Sequence, residues 1–70
     1  MPIVLAPVNT SLRVTKILTD DKTKKHLESL GITINSQIVL ISQNGGNAII
    51  QVKDSRLALD KTIAMKILVV

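Results

Sequence analysis

Residues Asp20–Gly31, DDKTKKHLESLG, are the one strongly helical stretch of this 70-residue chain, and Ile32–Ser42, ITINSQIVLIS, follows directly. Thr19, Asp20 and Asp21 supply N-cap side chains and negative charge where a helix start exposes backbone N–H groups. Thr23, Leu27 and Leu30 then recur at i, i+4 and i+7, a single apolar stripe. Asp21 with Lys25, and Lys24 with Glu28, are oppositely charged pairs at i, i+4 and favour the helix by a few tenths of a kcal/mol each. Gly31 is the expected stop, because glycine takes positive φ without strain. The stripe is narrow, so the helix is expected to cover an opening and not to build a core by itself.

The flanking sequence reads as short strands. Pro2–Val8 carries two prolines and predicts an irregular or edge segment. Asn9-Thr10-Ser11 predicts a turn. Leu12–Leu18 predicts the first strand, with a bulge near Thr15–Lys16 because Ile17 and Leu18 break the alternation. Ile32–Ser36 predicts a turn with Asn35 as its left-handed residue. Gln37–Ser42 predicts a strand whose unbroken run Ile38–Ile41 implies cover on both faces. Gln43–Asn47 predicts a hairpin loop. Ala48–Val52 predicts the returning strand, Lys53–Arg56 a turn and Leu57–Leu59 a short strand. Asp60 predicts a cap for a helical turn, Lys61–Ala64, and Met65–Val70 a closing strand. The expected fold is mainly β: a small barrel of about five strands with one helix after the first strand and a helical turn before the last, forming a single domain over residues 1–70.

Composition narrows the function. A chain of this length buries only about 60% of its unfolded surface and usually needs a staple. There is no cysteine and only one histidine, His26, so disulfides and multi-histidine metal sites are excluded. Association, including with a second copy, is the staple left. The core must be built without Phe, Tyr or Trp. The same lack argues against nucleic-acid binding, since small barrels hold bases by aromatic stacking. Net charge is +4, and its densest patch, Lys22, Lys24 and Lys25, is interleaved with acids as on an ordinary solvated helix. No run approaches the roughly 18 apolar residues of a membrane span, and no leader is evident, so a soluble cytoplasmic protein is expected.

Catalytic chemistry finds no support. The residues offer no nucleophile triad and no defensible acid–base pair. His26 reads as a helix surface residue, with metal ligation the lesser alternative. Asp20 and Asp21 could offer oxygen ligands to a divalent metal ion, but capping accounts for them more simply. Gly45-Gly46 lacks the GK[ST] sequence and the helix of a phosphate loop.

In order, Leu27-Glu28-Ser29-Leu30-Gly31-Ile32, the strands Gln37–Ser42 and Ala48–Val52, Leu57-Ala58-Leu59, and Ala64-Met65-Lys66-Ile67-Leu68-Val69 resemble the ferrous iron transport protein A (FeoA) family of SH3-like domains. The resemblance runs from about Leu5 to Val69. The family's turn glycines are replaced here by Asn9 and Asn35, the next best residues for that backbone. The resemblance implies a cytosolic accessory of bacterial ferrous iron uptake; from the residues themselves no enzyme activity, cofactor or bound metal is expected. Its implied partner is the FeoB-type membrane permease with a cytosolic GTPase domain. It implies an alternative too, because SH3-like modules of this kind end some metal-dependent repressors.

Alternation assigns Ile38, Leu40, Ile50, Val52, Ile67 and Val69 to the core. It leaves Val39, Ile41, Ile49, Leu68 and Val70 on the opposite face. The N-terminal Ile3, Val4 and Leu5 are expected to fold over that face, or a partner is expected to dock there. The candidate partner-binding residues are Leu27, Leu30, Gly31, Val39, Ile41, Ile49 and Leu68.

Overall fold

The computed structural model describes residues 1–70. Its strands are β1 (Ser11–Ile17), β2 (Gln37–Asn44), β3 (Asn47–Val52), β4 (Ser55–Leu59) and β5 (Ile67–Val69). Helix α1 (Asp21–Ser29) follows β1, and the single turn α2 (Lys61–Ala64) precedes β5. All pairings are antiparallel, in the order β4-β3-β2-β1-β5. Two register shifts bend the sheet, one between Val14 and Lys16 and one between Leu40 and Ser42. The first is the expected bulge. The second makes Ile41 the extra residue of β2. The run Ile38–Ile41 therefore reflects a bulge as well as cover on two faces.

Sixteen residues are buried, all of them apolar. The six predicted core residues are among them. Leu12, Val14 and Ile17 join from β1, and Leu27 from α1. With no aromatic ring available, interlocking β-branched and leucine side chains fill the interior.

Several expectations are corrected. Residues Ile3–Leu5 form one turn of 3-10 helix, and Ile3 is fully buried in the main core. This segment completes the core and does not cover the opposite face, where Ile49 and Val70 remain exposed. Pro2 bridges to Leu68, while the Met1 amine donates to the Val69 carbonyl (2.8 Å) and the Val69 N–H donates to the Met1 carbonyl (2.7 Å). The N-terminal residues thus line the free edge of β5. The expected five-residue hairpin loop is only Gly45-Gly46, because both glycines take positive φ (62° and 88°), which lets β2 and β3 pair up to Asn44 and Asn47. The next turn is only Lys53-Asp54, with Lys53 at φ 54°, so Ser55 and Arg56 belong to β4. The closing strand is shorter than expected, because α2 ends in a C-cap at Met65. Asn9 and Asn35 adopt the anticipated left-handed backbone, φ 59° and 71°.

The glycine hairpin is held against α2. Asn47 Oδ1 accepts from the Lys61 N–H (3.0 Å), and a Cβ on Gly46 would come within 2.7 Å of the Lys61 Cγ and Cδ atoms. Gly45 has nothing within 4 Å of its Cβ position. Gly45→Ala therefore meets only the left-handed backbone cost, about 1–2 kcal/mol. Gly46→Ala adds a clash and is expected to lower thermal stability further. Equal melting temperatures for the two variants would contradict this packing.

Candidate functional site

The surface begins where α1 ends. Asp20 caps the helix, its carboxylate accepting from the Thr23 N–H (2.9 Å). At the other end Leu30 is the C-cap and Gly31 takes φ 95°. The Gly31 N–H donates to the Glu28 carbonyl (3.0 Å), and the Ile32 N–H donates to the Leu27 carbonyl (2.9 Å). This is a Schellman motif, with its apolar contact positions filled by Leu27 and Ile32. Both side chains are buried. A Cβ on Gly31 would meet Val52 Cγ1 at 3.1 Å, so the turn lies directly on β3.

Beyond Gly31, Ser36 Oγ accepts from the Thr33 N–H and donates to the Thr33 carbonyl. The Asn35 N–H donates to Val14 O (2.7 Å), the Val14 N–H to Ser36 O (3.0 Å), and Arg13 Nη1 to Asn35 Oδ1 (3.0 Å). The turn is thereby sewn to β1. Between it and the ends of β2 and β3 opens a cleft of about 530 Å³. Gly31, Ser36, Val39, Gln51, Val52 and Lys53 are among the residues that line it.

The seven candidate residues divide accordingly. Leu27 is 1% exposed and belongs to the core, so it can hold the helix in place but cannot itself touch a partner. Leu30 is exposed at the helix end. Gly31 and Val39 meet in the cleft. Val39 and Ile41, half-buried on β2, adjoin exposed Ile49 on β3, where Val39 is registered with Gln51 and Ile49 with Ser42. Leu68 stands apart on β5, with β1 between it and β2. The sequence reading missed Gln51, which shares a face with Ile49 through plain alternation. It missed Lys53 as well, and no sequence signal marked that residue for a positive-φ turn.

The charged candidates are scattered. His26 and Glu28 are exposed on α1, and no three His, Cys, Asp or Glu side chains converge. Asp20 is engaged as a cap. Hydrogen bonding with Thr23 holds its carboxyl below the ordinary aspartate range, outweighing a small desolvation, and the nearby Lys66 ammonium acts in the same direction. No helix is long and apolar enough to cross a membrane.

The fold is a small SH3-like barrel with a helix inserted after its first strand. The FeoA domain model matches residues 1–70, and the chain belongs to that family, which is linked to ferrous iron transport. The crystal structure of an iron uptake regulatory protein (FeoA) superposes with a TM-score of 0.87 at 24% identity, covering 99% of this chain and 93% of that one. The FeoA of Stenotrophomonas maltophilia complexed with zinc gives 0.78 at 23% identity, covering 99% and 88%. A manganese-dependent transcriptional repressor gives 0.83 at 16% identity, covering 96% of this chain but 39% of the repressor. No curated protein matches the chain.

Because the folded-state pKa of Asp20 is lowered, its contribution to stability is complete above the unfolded value, near pH 4, and is lost as pH falls through the folded value. Asp20→Asn keeps an N-cap and removes the titration. Its melting temperature is expected to fall less between pH 5 and pH 2.5 than that of the parent. Parallel declines would contradict the assignment.

Proposed function

We propose that this chain is a small accessory of ferrous iron uptake that acts by docking, without turnover, on the cytosolic GTPase domain of an FeoB-type permease. Family membership supplies the pathway. The observation that carries docking is the apolar strip of Val39, Ile41 and Ile49 on β2 and β3, to which exposed Leu30 at the end of α1 is added as a further contact. Contiguous apolar surface of this kind marks interaction sites on small proteins. Gly31 contributes its backbone to the lining of the cleft, and Leu68 offers a second contact on β5. Localisation on the cytosolic face of the membrane follows from the partner.

A second reading draws on the likeness to metal-dependent repressors, whose matching part is about a third of their length. In that reading the chain is a free-standing SH3-like module that modulates a metal-responsive regulator. A repressor is then the molecule that it binds.

A pull-down with the permease's cytosolic domain tests the first reading. The parent chain is expected to be retained. Leu30→Asp and Ile49→Asp, whose side chains are already exposed, are expected to stay folded by circular dichroism and to lose at least tenfold in binding. Absence of binding by the parent would refute the partner, and undiminished binding by both variants would refute the surface.

A further inference from the structure

The two free edges of the sheet are treated differently. The edge at β5 is lined by Met1 and Pro2 through backbone hydrogen bonds and a bridge. At the other edge β4 pairs only with β3. Exposed edges are usually blunted by proline, a bulge, clustered lysines or a covering segment. β4 is five residues long, in unbroken register with β3, and contains no proline.

The register says which backbone groups are free. Val52 and Ser55 flank a two-residue hairpin loop and so form a hydrogen-bonded pair. Narrow and wide pairs alternate along an antiparallel ladder. Leu57 opposite Ile50, and Leu59 opposite Ala48, therefore also bond to β3. Arg56 opposite Gln51 and Ala58 opposite Ile49 are the wide pairs, and their N–H and C=O groups point away from the sheet. Both residues are exposed. Their side chains share the face that displays Ile49, while those of Leu57 and Leu59 turn toward the core.

Charge limits what can be added there. Arg56 is the only charged residue among β2, β3 and β4, and no carboxylate on these strands offsets it. Lys53 and Lys61 bracket the strand, and the acids nearest in sequence are Asp54 in the turn and Asp60, whose carboxylate is engaged in capping Ile63 (2.9 Å). The geometry points to β4 as a strand-addition site for an extended, acidic segment of a partner protein. The segment runs antiparallel to β4, with a carboxylate opposite Arg56 and an apolar residue two positions earlier, opposite Ala58 and on the same face as Ile49. Four backbone hydrogen bonds, at Arg56 and Ala58, give the affinity, and the outward side chains give the selectivity. This edge adjoins the apolar strip at Ile49, but strand addition is made by the β4 backbone and does not depend on which protein docks on the strip.

The test uses the whole isotope-labelled chain and two acetylated, amidated pentapeptides at low ionic strength, Thr-Val-Thr-Glu-Thr and Thr-Val-Thr-Lys-Thr. The Glu peptide is expected to shift the amides of Arg56 and Ala58 and to slow their exchange with solvent, sparing Leu57, and to bind at least threefold more tightly than the Lys peptide. Arg56→Glu is expected to reverse that preference. Ala58→Pro removes a donor that does not bond to β3, so the fold is expected to persist and binding to be lost. Equal binding of both peptides, amide shifts confined to the cleft at Gly31 and Gln51, or binding that survives Ala58→Pro in a folded chain would overturn the proposal. So would a concentration-dependent dimer that is abolished by Ala58→Pro and excludes the peptide, which would assign the edge to a second copy.

Discussion

The left-handed turn at Gly31 is the constraint on which the rest of the molecule depends. It reverses the chain within two residues and sends Leu27 and Ile32 into the core from opposite sides of the same turn. Both turn hydrogen bonds are made, so the helix end leaves few carbonyls unsatisfied. The missing side chain lets the turn sit against Val52. The same geometry leaves Leu30 exposed at the end of the helix. Core closure and surface display are thus two consequences of one backbone conformation.

A domain this small has little surplus apolar burial. Here every buried residue is apolar, and no buried side-chain polar group lacks a partner. The interior therefore contains no chemistry to offer, and function has to lie on the surface. That surface is unusual in what it leaves uncovered: a strip of aliphatic side chains on β2 and β3, and one regular strand edge. Bulges at Val14–Lys16 and Leu40–Ser42 curl the sheet enough to close the core with five short strands. Ile41, the extra residue of the second bulge, is half-buried.

Much of the fold is legible in the residues. The capping acid, the stripe ending in Leu27 and the Gly31 stop define α1. Asn9 and Asn35 mark left-handed turns because their side chains tolerate that backbone. Alternation gives the six core residues of β2, β3 and β5. The rest depends on tertiary contacts. Ile32 reads as part of a turn, yet the Schellman contact buries it. Ile3 reads as cover for the outer face, yet it fills the core, since one apolar residue among prolines carries no directional signal. Lys53 takes positive φ because the register of β3 and β4 demands a two-residue turn there, against its own preference. The candidate surface is only partly legible for the same reason: alternation finds Val39 and Ile49, but it cannot tell that Leu27 faces inward while Leu30 faces outward.

Chemical synthesis of the 70-residue chain with L-alanine or D-alanine at position 31, followed by denaturant unfolding, tests the dependence on that turn most directly. L-alanine meets both the left-handed backbone cost, about 1–2 kcal/mol, and Val52 at 3.1 Å, so a loss of at least that size is expected. D-alanine prefers the left-handed region, so stability is predicted to equal or exceed that of the parent. Equal stability of the L- and D-alanine chains would contradict the claim that this one backbone conformation organises the fold.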